Sequence, residues 1–166
     1  MSALFNWALK RAKSGKPWVF SRIMQEGIPF NRPHGISVVE LSPEKCKVYL
    51  PNKRKNKNHL GTMHACAIAT AAEYVSGLNV LQAFDMKQYR LIMSRLEVDY
   101  LRRPDGYCYT ESMISTPQMS QINSELEGEG VSKFSLVSIV TDSNNEKIAE
   151  ATIHWQVKSW KKVRVK

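Results

Sequence analysis

Residues 59–81 read HLGTMHACAIATAAEYVSGLNVL, and this stretch decides the fold. Apolar or small side chains occupy almost every position, so a helix formed here has no polar face. A helix that is apolar on all sides is buried rather than lying on the surface. The run is interrupted by polar residues, whereas crossing a bilayer takes about 20 consecutive, mostly apolar ones. Its alanines would keep the helix thin enough for close packing on several sides: Ala65, Ala67, Ala69, Ala71 and Ala72.

Two ionisable side chains interrupt this apolar stretch, His64 near its start and Glu73 in its middle. A buried carboxylate is costly unless it is paired or hydrogen-bonded, and burial tends to raise its pKa. Glu73 is therefore the first candidate for a catalytic group. The alternative interpretation is structural, with the Glu73 side of the helix reaching solvent or a buried arginine.

Length and composition favour a single domain, covering residues 1–166, with residues 1–30 as an N-terminal helical extension. A hydrophobic fraction of 43% suffices for a sizeable core, and no signal-peptide pattern or membrane-spanning run is visible. Three widely spaced cysteines fit neither a disulfide framework nor a zinc site, which favours a reducing cytoplasm. The four histidines also lack metal-ligand spacing, so we expect no metal and no other cofactor.

The net charge of +9 is clustered along the chain. Such clusters favour anionic partners, namely nucleic acid, a membrane surface or a phosphorylated ligand, although a solvated surface is the alternative. For the basic run that closes the chain, the solvated surface is the preferred interpretation. The two internal clusters are Lys53, Arg54, Lys55 and Lys57, just before the predicted central helix, and Arg102 with Arg103, after a predicted strand.

Helical and alternating patterns divide the chain into short elements. Before the central helix they predict two helices and two strands: Ala3–Lys13, Trp18–Glu26 opened by Pro17, Gly35–Leu41 and Cys46–Leu50. After it they predict four antiparallel strands: Tyr89–Leu101, Tyr107–Thr116, Val131–Asp142 and Lys147–Lys158. The stretch 117–130 is polar and irregular, with room for a short helical turn. The result is an α+β layout in which a meander of hairpins wraps around one buried helix.

This layout resembles the hotdog-fold thioesterases, and most closely their PaaI-like group and the related DUF4442 family. The resemblance is carried by the segment Asn58-His59-Leu60-Gly61-Thr62-Met63-His64-Ala65 together with Glu73. Asn58 lies six residues before His64, and Glu73 lies nine residues after it, as in the family pattern. The resemblance extends over most of the chain from about residue 35 onward and implies a hotdog fold.

The resemblance also implies roles for individual residues. Glu73 would serve as general base or nucleophile, and Asn58 would position water or substrate. His64 would brace the loop, and Ala65 would offer its backbone N–H to the thioester carbonyl. A helix N-terminus has free N–H groups and a dipole that favours an oxyanion.

Some positions depart from the family pattern. Ala65 and Cys66 replace a Gly-Gly pair, and Gly77 stands where some members carry a helper hydroxyl. Ser94 lies close to the alternative position of that hydroxyl, and it joins Gly61 among the expected substrate-binding residues. Cys66, near a helix start, is a weaker candidate nucleophile, because a small-residue helix favours an inert buried thiol.

Helical geometry adds an argument about the number of chains in one site. Ala65 and Glu73 are eight residues apart, which places them roughly 12 Å from each other along a helix. One thioester carbonyl cannot touch both groups within a single chain, so a site that uses both takes them from two copies. A twofold dimer with two equivalent composite sites satisfies this requirement, as in hotdog proteins.

The resulting hypothesis is an acyl-CoA thioester hydrolase that acts as a homodimer or as a pair of dimers. Its two basic clusters would contact the phosphates of coenzyme A. A non-catalytic acyl-thioester-binding protein is the first alternative, and a hotdog dehydratase, which also pairs a histidine with an acid, is the second. A nucleic-acid partner is not expected, because the aromatic residues are not interleaved with the basic ones in an RNA-binding pattern. A membrane partner is not expected either, because no apolar run is long enough to span a bilayer.

Overall fold

A computed structural model describes residues 3–14 and 16–163, and it contains four α-helices and one six-stranded sheet. The helices are α1 (Ala3–Lys13), α2 (Pro17–Gly27), α3 (Ala65–Ala83) and α4 (Thr116–Gly128). The strands are β1 (Ser37–Leu41), β2 (Lys45–Leu50), β3 (Tyr89–Tyr100), β4 (Cys108–Met113), β5 (Val131–Asp142) and β6 (Lys147–Ser159). None of the helices in the described ranges is long and apolar enough to cross a membrane.

The sheet is antiparallel and curls around α3, with the strand order β1-β2-β4-β5-β6-β3. Helix α3 contacts every strand from β2 to β6. This is the α+β hotdog fold that the resemblance implied, with one thin, alanine-rich helix inside the sheet. The fold therefore confirms the expectation that residues around 65–81 form a buried central helix.

The predicted meander is wrong in one connection, because β3 and β4 do not pair with each other. Strand β3 instead pairs with β6, from Tyr89 opposite Ser159 to Tyr100 opposite Ala149. The loop that follows β3 is held against the β5–β6 turn, where the Asp105 N–H donates to Asp142 Oδ2 at 3.2 Å. The chain therefore crosses the end of the β5–β6 hairpin between β3 and β4. Strand β4 then pairs with β5, on the side opposite to β6.

Three buried hydrogen bonds join α3 to the strands around it. Trp155 Nε1 donates to Ser76 Oγ at 2.7 Å, and Asn79 Nδ2 donates to the Ser112 carbonyl at 2.7 Å. Ser138 Oγ donates to the Ala72 carbonyl at 2.9 Å. Buried polar groups cost little when they are hydrogen-bonded, so these contacts fix how α3 lies in the sheet.

The central helix begins at Ala65, where the resemblance places a backbone donor at a helix N-terminus, and the segment before it closes into a loop. One predicted segment differs from the structure. The stretch predicted to be irregular at 117–130 forms a full helix, α4. Ser115 caps α4 by accepting a hydrogen bond from the Gln118 N–H, and Pro117 occupies its first turn, where a missing N–H is harmless.

The long strand β3 lies at the edge of the sheet and is unusually exposed. In the part of the chain that the structure describes, β6 is its only partner. Several of its apolar side chains face solvent, including Met93 (40% exposed) and Tyr100 (48% exposed). A long edge strand with unpaired backbone groups is a template for pairing with another strand.

Helices α1 and α2 pack together outside the sheet, and α2 lies against β1. Ser21 on α2 joins them, because its hydroxyl accepts a hydrogen bond from the Val38 N–H at 2.6 Å. The segment that follows α2 then brings Phe30 to the mouth of a cavity beside α3. The N-terminal extension therefore supplies part of the wall of the candidate site.

Candidate active site

A cavity of about 300 Å³ opens between one side of α3 and the exposed strand β3. The α3 residues that line it are spaced so that they form a single stripe along the helix. This stripe is the side of the predicted all-apolar helix that the sheet of one chain leaves open. The complete lining consists of Phe30, Cys66, Ala69, Thr70, Glu73, Met93, Leu96 and Tyr100.

Glu73 is the only carboxylate in this lining. Its side chain makes no hydrogen bond and no ion pair with any residue in the described ranges. Burial raises the pKa of the Glu73 carboxyl above its ordinary value of 4.5. A half-buried, unpaired carboxylate facing an apolar cavity is suited to act as a general base or a nucleophile.

Gly77 lies one turn after Glu73, at the position expected for a helper hydroxyl. A Cβ at Gly77 would lie 3.4 Å from the Trp155 ring and 3.8 Å from Glu73 Oε1. The indole therefore occupies the space beside this position, and Gly77 places no hydroxyl next to Glu73. The α3 hydroxyl that does line the cavity is that of Thr70, which donates to the Cys66 carbonyl at 2.8 Å.

The start of α3 presents a free backbone donor. His64 caps the helix, since its Nδ1 accepts a hydrogen bond from the Cys66 N–H at 3.0 Å. The Ala65 N–H has no acceptor among the described residues. Tyr100 Oη donates to the Ala65 carbonyl at 3.0 Å and so ties β3 to this first turn. A free N–H at a helix N-terminus is a suitable donor to an oxyanion.

The loop before α3 is closed by Asn58. Its Oδ1 accepts hydrogen bonds from the backbone N–H groups of Leu60 and Thr62, at 2.9 and 3.2 Å, and its Nδ2 donates to Thr62 Oγ1 at 3.0 Å. Gly61 sits in the left-handed region at φ +76°, which the turn requires. Asn58, Gly61, His64 and Ala65 therefore lie together at the helix start and do not line the Glu73 cavity of the same chain.

Asn56, which sequence reasoning missed, anchors this loop. Its side chain is fully buried, and Nδ2 donates to the carbonyls of His34 and Pro51 at 2.9 Å each. Its Oδ1 pairs with His34 Nδ1 at 3.0 Å, and its own carbonyl accepts from the His64 N–H at 2.7 Å. Asn56 thus connects the segment after α2 to the cap of α3.

A basic cleft of about 600 Å³ lies beside the same segment. It is lined by Arg32, Pro33, Lys53, Arg54 and Lys55, a set referred to below as the basic cleft. Burial and the nearby charge of Lys55 lower the pKa of Lys53. Arg32 is the one cation of the cleft with a carboxylate partner among the described residues, at 3.4 Å from Glu26.

The other predicted substrate-binding residues lie elsewhere. Lys57 is exposed and outside the basic cleft. Arg102 is occupied by Glu146 at 2.9 Å and by Asp142 at 3.9 Å, and Arg103 is exposed beside it. Ser94 sits at a bulge in β3 and donates to the His154 carbonyl at 3.2 Å, so it does not line the Glu73 cavity.

The expectation of a buried thiol at Cys66 is wrong, because Cys66 is exposed and lines the cavity. The other two cysteines are the buried ones, and burial raises the pKa of both thiols, that of Cys108 to about 12. Cys66 differs from them because it lies on the open stripe of α3 rather than on a side that the sheet covers.

The model of the family called "Domain of unknown function (DUF4442)" matches residues 16–157 of this chain. The chain belongs to the DUF4442 family. None of the curated proteins compared with this DUF4442 protein matches it.

Solved structures do resemble the DUF4442 protein. A Pseudomonas aeruginosa protein of unknown function, described as a probable thioesterase, is 27% identical, with a TM-score of 0.78 over 84% of this chain and 93% of the other. A protein of unknown function from Chlorobaculum tepidum is 11% identical, with a TM-score of 0.74 over 83% and 91%. A mutant thioesterase from Pseudomonas aeruginosa is 14% identical, with a TM-score of 0.68 over 83% and 91%. The two more distant similarities establish the shared fold.

Most of the cavity lining of the DUF4442 protein was missed by sequence reasoning. Phe30 and Tyr100 are far from α3 in sequence, and neither carries an ionisable group that marks a site at neutral pH. Arg32 was missed because it stands alone in its segment, whereas the cleft it joins is supplied by another loop. The alternation of β3 could have indicated that Leu96 and Tyr100 share a face, although it does not identify what that face contacts.

Proposed function

We propose that this protein hydrolyses acyl-CoA thioesters and that Glu73 is its general base or nucleophile. The observation that carries the proposal is the unpaired carboxylate of Glu73 in an otherwise uncharged cavity. The similarity to a protein described as a probable thioesterase supports the same class of reaction. The apolar residues around Glu73, among them Phe30, Met93 and Leu96, would receive the acyl group.

The proposed reaction uses two features of α3. As a base, Glu73 would remove a proton from water while the water oxygen attacks the thioester carbonyl carbon. The Ala65 N–H would stabilise the negative charge on the carbonyl oxygen. The C–S bond then breaks, and the CoA thiolate takes the proton from Glu73 and leaves as the thiol. As a nucleophile, the carboxylate would attack the same carbon and break the C–S bond, which releases the CoA thiolate and leaves a mixed anhydride on Glu73. Water then hydrolyses the anhydride to the free acid and the Glu73 carboxylate, and one of its protons goes to the thiolate.

We propose that two chains combine to form each site. Ala65 and Glu73 lie eight residues apart on α3, roughly 12 Å along its axis, which is too far for one carbonyl to contact both. Strand β3 offers an unpaired edge next to the cavity, and its exposed Met93 and Tyr100 line that cavity. Pairing of two β3 edges around a twofold axis would cover the open stripe of α3 and supply the missing groups.

The basic cleft would bind the phosphates of coenzyme A. Three of its four cations, Lys53, Arg54 and Lys55, have no carboxylate partner in the described ranges. The lowered pKa of Lys53 reflects burial and crowded positive charge, which a bound phosphate would relieve. Arg102 is less suited to this role, because Glu146 and Asp142 already neutralise it.

Replacing Lys53, Arg54 and Lys55 with serine is expected to raise KM for an acyl-CoA by on the order of tenfold and to flatten its salt dependence, since phosphate contacts are screened by salt. A short acyl thioester without the nucleotide should be hydrolysed as before. Lys57→Ser is the matched control, because Lys57 belongs to the same loop and lies outside the cleft. Equal losses on both substrates would assign the cleft a structural role.

A non-catalytic acyl-thioester-binding protein is the second candidate function. The absence of a hydroxyl beside Glu73 at Gly77, together with the Ala65-Cys66 pair, favours it. A screen of acyl-CoA chain lengths, read out by release of free CoA thiol, separates the two functions. Hydrolysis of at least one acyl-CoA supports the proposed enzyme, whereas saturable binding without thiol release at any length supports the binding protein.

A further inference from the structure

The first 25 residues contain basic side chains and no acidic ones. They contain five of the 24 lysines and arginines and none of the 15 carboxylates, and the first carboxylate of the chain is Glu26. More than half of the net charge of +9 therefore lies in about one seventh of the chain. This segment is α1 and most of α2, which pack outside the sheet.

The same two helices expose large apolar side chains. Leu4 is 56% exposed and Trp7 48% exposed on α1, and Trp18 is 69% exposed on α2. These side chains are not needed for packing, because other residues bury the helices against each other and the body of the protein: Ala8, Ala12, Phe20 and Met24. Leaving two tryptophans largely in water is unfavourable unless another surface covers them.

On both helices a tryptophan is followed four residues later by an arginine. Trp7 and Arg11 are four residues apart, and the Arg11 guanidinium lies 5.5 Å from the centre of the Trp7 ring. Trp18 and Arg22 have the same spacing on α2, and Arg22 is exposed. Residues four apart share one face of a helix, so each helix presents an aromatic ring beside a cation. Such a face matches a bilayer interface, where aromatic rings sit among headgroups and cations meet anionic lipid phosphates.

We propose that α1 and α2 dock the protein on an anionic phospholipid membrane surface. Leu4 and the two tryptophans would enter the boundary between headgroups and acyl chains, and Lys10, Arg11 and Arg22 would contact lipid phosphates. The exposed Leu4 argues against nucleic acid, because an aliphatic side chain has no favourable partner on a phosphate backbone. A second copy of the chain is also disfavoured, because two segments of the same strong positive charge repel each other.

This proposal revises the expectation of no membrane partner, and it stands independently of the chemistry at Glu73. The structure places Leu4, Trp7 and Trp18 on the outside of the N-terminal helices. The segment between α2 and β1 also carries Phe30 to the Glu73 cavity, so a docked protein would hold that cavity near the lipid surface.

The test is flotation of the full-length protein with two kinds of vesicle, one of phosphatidylcholine alone and one of equal parts phosphatidylcholine and phosphatidylglycerol. We expect binding to the anionic vesicles with a blue shift of tryptophan emission, and much weaker binding to the neutral ones. Lys10→Glu with Arg11→Glu should lower the partition coefficient by on the order of tenfold or more, because each cation near the surface contributes about fivefold. Trp7→Ser with Trp18→Ser should lower it by on the order of tenfold.

Two controls place an equal change of charge and a smaller loss of apolar surface elsewhere on the protein. Lys87→Glu with Lys161→Glu changes the charge by the same amount, and Val39→Ser with Val137→Ser removes two exposed apolar side chains from the sheet. Both controls should bind vesicles as the wild type does. The proposal is overturned if the wild type does not bind anionic vesicles, or if the controls lose as much binding as the helix variants. It is also overturned if the tryptophan pair changes oligomeric mass or binding to duplex DNA and leaves vesicle binding intact.

Discussion

Replacing Glu73 with glutamine is expected to lower acyl-CoA turnover by a factor on the order of 10² or more, because the variant keeps the shape of the side chain and loses its basicity. The cavity and the oxyanion donor should remain, so KM should change far less than kcat. Turnover is measured by release of free CoA thiol at saturating substrate. Thr70→Val serves as a control that alters the same cavity wall without touching the carboxylate.

The same substitution is expected to leave the folded protein as stable as the wild type or more stable near neutral pH. Burial raises the pKa of Glu73, so the folded state holds this proton more tightly than the unfolded state does. The associated stability is present at low pH and is lost as the pH rises through the folded-state pKa. Urea unfolding of both proteins should be measured below pH 4.5 and at pH 7. The free energy of unfolding of the variant, relative to that of the wild type, should be higher at pH 7 than at the lower pH. A variant that is inactive and also unstable at pH 7 would indicate a structural role for Glu73.

Replacing Asn56 with alanine is expected to lower the free energy of unfolding by about 2–4 kcal/mol. The change removes the amide that donates to the His34 and Pro51 carbonyls and pairs with His34 Nδ1. The His34 carbonyl then has no donor among the described residues, whereas the Pro51 carbonyl keeps its hydrogen bond from the Lys53 N–H at 3.0 Å. Urea denaturation measures the loss. Asn58→Ala is the matched control, because the Asn58 side chain makes its hydrogen bonds within a more exposed part of the same loop. This substitution should lower the free energy of unfolding by about 1 kcal/mol. Equal effects of the two substitutions would contradict the anchoring role of Asn56.

The fold followed from the sequence wherever a pattern was local. The apolar run of α3 and the alternation of the strands can each be read within one segment, because each depends only on which sides of that helix or strand are buried. The pairing of β3 with β6 was missed because the two strands are far apart in the sequence, with β4, α4 and β5 between them.

Only the part of the candidate site that lies within one segment could be predicted from the sequence. Glu73 stood out because it is the one carboxylate in an apolar helix. Beyond α3 itself, its surroundings come from two distant segments, namely Phe30 after α2 and the strand β3 with Tyr100. Cys66 was expected to be buried because the helix is apolar all round, whereas the sheet of one chain leaves one stripe of α3 open.

The central claim is that each site takes Glu73 from one chain and the start of α3 from another. Mixing Glu73→Gln chains with Asn58→Ala chains, each nearly inactive alone, tests it most directly. In a mixed dimer one site carries both defects and the other carries neither. With random pairing of equal amounts, activity should recover to about a quarter of the wild-type level. Mass spectrometry of differently tagged chains establishes that the subunits have exchanged. Exchange without any gain over the parent variants would contradict the composite site.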